Sequence, residues 1–333
     1  MVRIQKGDAS DEIRVLSIGG SGGLRLNMKF NPSESVRRTP ENLGLLDVQM
    51  EALRGLADAP GGIVLLVSPP GQGRTTTMYS ILGLHDAYTS NVQTLELETQ
   101  ASLEGIRQNV FDRFDEDQEF SKNLRSILRR DPDVVAVGEL LDKETALEVT
   151  RADLANARVY VSLRAGDAMA GLQQWVKAVG DLGGASEALR GVVGNRLVRR
   201  LCENCRVAYQ PTPEMLKKLG LPADRVKQLY KKGGQVLIKN KAEVCPVCNG
   251  LGYSGQTGVF EVYPLGDDER GLVGAGNLSG LRAELRKKKY MTIQQAALRK
   301  AVEGVTSIEE VLRVTAGDQG KKKKAREPAQ SGA

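Results

Sequence analysis

The stretch "GIVLLVSPPGQGRTTTMYS", residues 62–80, combines three local patterns in a fixed order. It opens with a wholly apolar run, residues 62–68, which is typical of a strand buried on both faces of a parallel sheet. A glycine-containing loop follows, and the apolar spacing then changes to that of a helix. Strand, glycine loop and helix in this order form the context in which a phosphate-binding loop is found. The stretch therefore predicts a nucleotide site.

The loop matches the pattern G-x-x-x-x-G-K-[ST] only in part. Gly71, Gly73 and Thr75 are present, but Ser68 replaces the first glycine and Arg74 replaces the lysine. Arginine keeps the positive charge and adds donors, although its planar fork fits a tight phosphate cradle differently from an ammonium group. We expect ATP and Mg²⁺ here, with Mg²⁺ near Thr75 and Glu139. The residues expected to bind the nucleotide are Ser68, Gly71, Gln72, Gly73, Arg74, Thr75 and Thr76.

Strand and helix patterns alternate through the next hundred residues. Strands are predicted at 92–98, 133–140 and 158–165, and helices at 119–131 and 142–155. Such alternation indicates an α/β fold with a mostly parallel, doubly wound sheet. Ahead of the loop, residues 12–31 alternate apolar and polar positions around glycines, which favours a β-hairpin.

A carboxylate ends one of the predicted strands. In "DPDVVAVGE", residues 131–139, Gly138 and Glu139 come directly after a buried run. Ligands of open α/β sheets bind at the carboxyl ends of the strands. A carboxylate there can orient Mg²⁺ or the water that attacks a phosphoryl group. Glu139 is therefore a candidate catalytic residue.

The four cysteines of the chain form two C-x-x-C pairs, Cys202 with Cys205 and Cys245 with Cys248. Four thiolates at this spacing suit a structural Zn²⁺ site without an open coordination position. The segment between the pairs is long enough for helices of its own, which we predict at "PEMLKKLGL" (213–221) and "DRVKQLYKK" (224–232).

Composition excludes some classes of protein. The chain has 333 residues, 41% of them hydrophobic and 26% charged, as in globular proteins. It has no window near the ~18 apolar residues of a membrane span and no apolar core of a signal peptide, so we expect a cytoplasmic location. "KKKKAR", residues 321–326, indicates a disordered basic tail, which either is simply solvated or contacts an acidic partner or a membrane.

Several stretches together resemble the ATPase family of type II secretion and type IV pilus assembly, across about residues 12–316. The most specific stretches are "LRSILRRDPDVVAVGE", "GNRLVRRLCENC", "CNGLGYSGQTGVFEV" and "LRKAVEGVTSIEEVLRVT". The resemblance implies a RecA-like P-loop NTPase motor domain, a hexameric ring and an assembly platform in the inner membrane as partner. It also implies that the family's long amino-terminal docking region has no counterpart here.

The resemblance also gives a division of the chain into five parts. The parts are the end of a small preceding domain with strands (1–35), the motor domain (36–200), the tetracysteine zinc module (201–262), a helical C-terminal region (263–316) and the basic tail (317–333).

The sequence departs from this family in four functional boxes. Besides Ser68 and Arg74 in the loop, the acidic box "ELETQ" keeps Glu96 as a second candidate catalytic residue but has Leu97 at the aspartate position. Gln100 stands at its second glutamate. The arginine two residues after Glu139 is replaced by Leu141, and the histidine box appears as "SLRAGDA" with Arg164. Phosphoryl transfer depends on positioning, so we expect nucleotide binding to survive these changes better than turnover.

Three functions stay open at this point. The chain is a motor ATPase that hydrolyses ATP slowly or with compensating residues, for which Arg125, Arg129 and Arg130 are available. Alternatively it is a non-catalytic paralogue that acts as a structural or regulatory partner of an active secretion ATPase. A zinc protein that binds nucleic acid is the third hypothesis, and the small number of aromatic residues argues against it.

Overall fold

The computed structural model describes residues 2–6, 9–20, 23–30, 36–115, 118–238 and 240–315. These residues divide into two compact units, one within 2–193 and 262–285 and the other within 194–261 and 286–315. The predicted basic tail, 317–333, lies outside the described residues, as do parts of the predicted first domain. The five-part division made from the sequence stays a prediction.

The described residues contain fourteen strands and eleven α-helices. The strands are β1 (Val2–Lys6), β2 (Ala9–Gly20), β3 (Gly23–Phe30), β4 (Gly62–Val67), β5 (Val92–Glu96), β6 (Arg107–Val110), β7 (Val134–Val137), β8 (Arg158–Leu163), β9 (Leu189–Leu201), β10 (Val207–Tyr209), β11 (Leu229–Lys231), β12 (Gln235–Ile238), β13 (Lys241–Val244) and β14 (Tyr253–Pro264). The α-helices are α1 (Asp47–Asp58), α2 (Arg74–Leu82), α3 (Phe120–Leu128), α4 (Lys143–Thr150), α5 (Ala168–Val179), α6 (Leu182–Ser186), α7 (Pro213–Leu219), α8 (Asp267–Gly274), α9 (Leu278–Lys287), α10 (Ile293–Val302) and α11 (Ile308–Thr315).

Seven strands form the main sheet, in the order β14-β9-β4-β8-β7-β5-β6. Pairing is parallel from β4 to β6, that is between β4 and β8, β8 and β7, β7 and β5, and β5 and β6. Every residue of β4, β5 and β7 is buried, as the apolar runs of the sequence predict. The predicted α/β fold with a mostly parallel sheet is confirmed.

A separate antiparallel sheet precedes the main sheet in the chain. Its order is β1-β2-β3, and β2 pairs with β3 from Ile13 opposite Phe30 to Gly20 opposite Gly23. The two strands are the hairpin that the alternating pattern of residues 12–31 predicts.

The second unit has its own hydrophobic core, built from α7, α10, α11 and the strands around them. Its buried members are Val198, Leu216, Val226, Leu229, Val259, Ile293, Ala297, Leu298, Ala301, Ile308, Val311 and Val314. The predicted helix at 213–221 is present as α7, and Thr212 caps it by accepting from the N–H of Met215.

The prediction of a helix at 224–232 is wrong. Its last residues form β11 instead, which pairs with β10 in an antiparallel ladder. Val226 and Leu229 are both buried in the core of the unit, so their spacing reflects tertiary burial and not the apolar face of a helix. Contacts of this kind regularly override a short local pattern.

A buried carboxylate lies at the centre of the second unit. Glu310 on α11 is inaccessible to solvent and accepts from Nε and Nη2 of Arg199, at 2.9 and 2.6 Å. It also accepts from Arg313, at 2.8 and 2.6 Å. Burial raises the pKa of Glu310, but the hydrogen bonds from Arg313 and Arg199 outweigh it and hold the pKa at about 2. The ionised carboxylate thus ties α11 to β9.

Glu310→Gln should lower the free energy of unfolding by about 3 kcal/mol, because it leaves charged, partly buried partners without a counter-charge. The neighbouring Glu309→Gln is the control: Glu309 pairs with Lys232 at the surface, so its loss should cost under about 1 kcal/mol. Because the folded-state pKa is depressed, the contribution of Glu310 is complete above the unfolded value and is lost as pH falls towards 2. Calorimetry of both variants between pH 7 and 3 checks this, and equal losses would contradict it.

Candidate functional site

The altered boxes meet at one edge of the main sheet. Ser68 follows β4, Arg164 follows β8, Glu139 follows β7 by two residues and Glu96 ends β5. These strands are consecutive in the sheet and parallel, so their carboxyl ends lie side by side. Residues from four distant parts of the sequence thus converge on the loop between β4 and α2.

Two glycines of the loop adopt the left-handed backbone conformation. Gly71 and Gly73 take φ of 72° and 87°, and Gly73 is the N-cap residue of α2. Ser68 is not among the described non-glycine residues with positive φ, and its hydroxyl donates to the carbonyl of Pro69 at 3.2 Å. Serine is therefore compatible with the first glycine position, and that departure leaves the loop intact.

Arg74 is the first residue of α2 and points to the sheet edge. Its side chain is 16% exposed, and Nη2 lies 3.5 Å from Oε2 of Glu139. Nη1 is buried and has no hydrogen-bond acceptor among the described residues. Burial lowers the pKa of Arg74, and the charge of Glu139 acts in the opposite direction. The guanidinium is thus partly desolvated, with one nitrogen still able to donate.

Glu139 is bonded by a second arginine. Nε of Arg164 lies 2.5 Å from Oε1, and Nη2 donates to Oε2 at 2.6 Å. This is the bidentate arrangement in which guanidinium and carboxylate bind each other most strongly. With Arg74 on the same carboxylate, both oxygens of Glu139 are engaged with positive charge.

The other candidate catalytic residue, Glu96, is buried with only 3% of its surface exposed. Its Oε2 accepts from the hydroxyl of Tyr79 at 2.6 Å, and its Oε1 accepts from the hydroxyl of Thr94 at 2.7 Å. Gln108 donates to the same Oε1 at 3.3 Å. Burial, and then the bond to Glu96, raise the pKa of Tyr79, so the phenol stays a donor. Glu96 organises the end of β5 and offers no unbonded oxygen.

A cavity of about 800 Å³ opens at this edge, a size that suits a small-molecule ligand. Gly138 at its wall packs closely against β5, since a β-carbon at this position would lie 3.2 Å from Cγ of Glu96. The residues that line the cavity are Arg74, Thr75, Met78, Glu96, Leu97, Glu98, Gln100, Val110, Phe111, Asp112, Arg113, Phe114, Gly138, Glu139 and Arg164.

The three arginines that the sequence suggested as compensating groups do not line this cavity in the described part of the chain. Arg125 donates from Nε and Nη2 to the buried carboxylate of Glu148 on α4, at 2.8 and 2.6 Å. Arg130, just after the C-terminal end of α3, donates to the hydroxyl of Ser126 in that helix. The positive groups at the cavity are instead Arg74, Arg164 and Arg113.

Sequence reasoning missed several residues of the site. Arg164 is noted in the sequence only as a departure from the family, and Tyr79, Thr94 and Gln108 are not singled out there. Tyr79 lies one helical turn after Thr75, so it faces the same strand ends, and this spacing could have identified it. Gln108 comes from β6, which pairs with β5, and no local pattern indicates that pairing.

The four cysteines, in the second unit, form a closed cluster. Their sulfur atoms all lie within 4.8 Å of one another, with Cys202 and Cys245 at 3.8 Å and Cys205 and Cys248 at 3.6 Å. These separations are too long for disulfides. Tetrahedral Zn²⁺ with sulfurs at about 2.3 Å requires sulfur separations of about 3.8 Å, so the donor set fits zinc.

Two donors outside the cluster point at its sulfur atoms. Asn204 donates to Sγ of Cys245 at 3.3 Å, and the N–H of Gly252 donates to Sγ of Cys248 at 3.2 Å. The bond from Asn204 lowers the pKa of Cys245 to about 6, whereas burial raises the pKa of Cys202 and Cys205. Such outer partners orient metal ligands in other proteins.

Residues 1–313 match the sequence model of the family described as "Type II/IV secretion system protein". The chain belongs to this family. Type II secretion system protein E of Dickeya dadantii is 34% identical over 313 residues, which cover 93% of this chain and 59% of the relative. The type IV pilus assembly ATPase PilB of Thermus thermophilus is 32% identical, covering 93% of this chain and 34% of the relative. The chain thus spans well under two thirds of the length of these two secretion proteins, and the resemblance read from the sequence is confirmed.

Solved structures of an ATPase and of a pilus motor share the fold. The Legionella pneumophila ATPase DotB superposes with a TM-score of 0.65 at 17% identity, over 95% of this chain and 76% of DotB. The pilus retraction motor PilT with bound ADP gives 0.62 at 17% identity, over 97% of this chain and 79% of PilT. In the described part of this secretion-family chain, the helices lack the length and hydropathy that a bilayer crossing needs.

Proposed function

We propose that this chain is an ATP-binding subunit of the type II secretion and type IV pilus assembly ATPases, with hydrolysis that is slow or lost. The observation that carries the proposal is the double ion pair of Glu139 with Arg74 and Arg164 beside an intact phosphate loop. Membership of the family implies use of ATP and Mg²⁺. Nucleotide binding and turnover have different requirements at this site, and we take them in turn.

Binding is supported by the loop and by the first turn of α2. The N–H groups at the start of a helix carry partial positive charge and bind phosphate oxygens. We place the phosphates of ATP over residues 71–76, where Gly71 and Gly73 allow close approach of the backbone. Nη1 of Arg74 is a buried donor without an acceptor among the described residues, and a phosphate oxygen would satisfy it.

Turnover needs a carboxylate that can orient or deprotonate the attacking water, and such a group contributes about 10²–10⁴-fold to the rate. Both oxygens of Glu139 are bonded to guanidinium groups, and both oxygens of Glu96 accept from neutral donors. Each oxygen keeps a further lone pair, so these bonds do not block either carboxylate, but the two guanidinium groups hold Glu139 in place and neutralise its charge. We propose that a carboxylate held in this way orients and deprotonates water poorly, which makes hydrolysis slow or absent.

Two roles in the cell fit such a site. The chain either is a slow motor subunit or is a non-catalytic partner of an active relative, and the ion-paired Glu139 favours the second. In both cases we propose a cytoplasmic protein in a homo- or hetero-oligomeric ring, hexameric as the family resemblance implies, working with an inner-membrane platform. We propose no contact with nucleic acid.

We also propose that the cysteine cluster holds one structural Zn²⁺ through Cys202, Cys205, Cys245 and Cys248. The sulfur separations and the two outer donors support it. With four thiolates and no open position, the ion would stabilise the fold and leave catalysis to other residues.

Steady-state ATPase assays at a concentration that permits rings test the proposed function. We expect wild-type turnover far below the ~1–10 s⁻¹ of ordinary enzymes. Arg74→Lys alone should give little rescue, because Arg164 still binds both oxygens of Glu139. Combining it with Arg164→His should raise the rate above either single variant, since groups that act as a unit are non-additive.

Glu139→Gln in the double-variant background is the control, and it should abolish any recovered rate. Ordinary turnover by the wild type, or full rescue by Arg74→Lys alone, would overturn the account of Glu139. A titration of ATP binding in the same samples shows whether the site itself is lost. The slow motor subunit and the non-catalytic partner both require that ATP binds.

Metal analysis of protein purified without chelators tests the zinc proposal, and we expect one Zn²⁺ per chain. Cys245→Ser should lose the ion and destabilise the second unit, because structural zinc contributes folding free energy directly. The matched variant Ser307→Ala, which removes a hydroxyl from the same unit outside the cluster, should keep the ion. Zinc-free wild-type protein would refute the proposal.

A further inference from the structure

We infer that nucleotide binds at the phosphate loop without needing Mg²⁺, because Arg74 and Arg164 supply the positive charge that the metal would otherwise bring. The inference rests on the nucleotide site proposed above and concerns the ions that this site requires. It is drawn from the carboxylates and guanidinium groups next to the loop.

The carboxylates nearest the loop do not fit a magnesium ion. Mg²⁺ takes oxygen ligands in octahedral geometry and is usually held by one or two carboxylates together with the phosphates. Both oxygens of Glu139 lie 2.5–3.5 Å from guanidinium nitrogens. Glu96 is buried, and its two oxygens accept from Tyr79 and Thr94. The next residue, Leu97, lines the cavity with an apolar side chain.

The guanidinium groups are placed to bind phosphate in place of the metal. Arg74 is 16% exposed, and its Nη1 has no acceptor among the described residues. Arg164 uses Nε and Nη2 on Glu139, and its side chain is half exposed, so the group borders the cavity. Guanidinium binds phosphate through charge-assisted hydrogen bonds, often in pairs. The two groups carry two positive charges, and Glu139 between them carries one negative charge, so one net positive charge remains for the phosphates beside the N–H groups of the loop.

The remaining acidic residues of the cavity already carry hydrogen bonds. Oδ1 of Asp112 accepts from the N–H of Phe114 at 2.9 Å, and Oε2 of Glu98 accepts from Gln100 at 3.4 Å. These two carboxylates define the opposing outcome of the experiment. If they recruit Mg²⁺, affinity will depend on it.

The experiment is an equilibrium titration of the full chain with fluorescent N-methylanthraniloyl ATP and ADP. One buffer contains millimolar MgCl₂, and the other is the same buffer freed of divalent cations on a chelating resin, so that no chelator reaches the cysteine cluster. We expect dissociation constants that agree within about threefold. Tightening by about tenfold or more in Mg²⁺ would overturn the inference alone. Absence of binding in both buffers would overturn the proposed function as well.

Three variants test whether Arg74 and Arg164 are the source of the metal-free affinity for nucleotide. Arg164→Gln should weaken metal-free binding by about tenfold and should make affinity depend on Mg²⁺, because it frees Glu139. Glu139→Gln should tighten metal-free binding, because both guanidinium groups lose their counter-charge. The control Arg54→Gln removes an exposed arginine that pairs with Glu41 outside the cavity, and it should change nothing. Unchanged metal-free affinity in Arg164→Gln, or weaker affinity in Glu139→Gln, would contradict the role of the arginines.

Discussion

A carboxylate held between two guanidinium groups controls the chemistry of this site. Glu139 follows a buried parallel strand, with Arg164 bonded to both of its oxygens and Arg74 at 3.5 Å. In a partly desolvated site such charge-assisted bonds are strong, and removing one partner leaves the others without a counter-charge. The loop backbone, the cavity and the bonded Glu96 surround this ion pair.

The two arginine substitutions make sense as a pair. Considered by itself, Arg74 only replaces the lysine of the phosphate loop. Considered by itself, Arg164 only replaces the histidine of the family's box. Both contact Glu139, so together they replace a carboxylate available to water or metal with a neutralised one. Ser68 fits its position with an ordinary backbone, and the buried strands around the loop are intact. The changes therefore alter the charge around Glu139 and leave the buried strands around it unchanged.

The order of local patterns was enough to predict the α/β fold and the loop, because buried parallel strands and glycine turns leave strong local signals. The convergence of Arg74, Arg164 and Glu139 could not be predicted in the same way, since it depends on β8 lying between β4 and β7 in the sheet. The helix expected at 224–232 failed for a related reason: the burial of Val226 and Leu229 comes from tertiary packing. The cysteine cluster was predictable because its spacing alone encodes the chemistry.

The coupling between Arg164 and Glu139 is the most direct measure of the central claim. The single tryptophan, Trp175, is fully buried in the first unit, so its fluorescence reports urea unfolding of that unit. Unfolding free energies of wild type, Arg164→Gln, Glu139→Gln and the double variant, in buffer free of nucleotide and Mg²⁺, complete a double-mutant cycle. The account predicts a coupling of about 1 kcal/mol or more between the two residues. Effects that add within about 0.3 kcal/mol would show that the ion pair contributes no measurable coupling in solution, and would contradict the account.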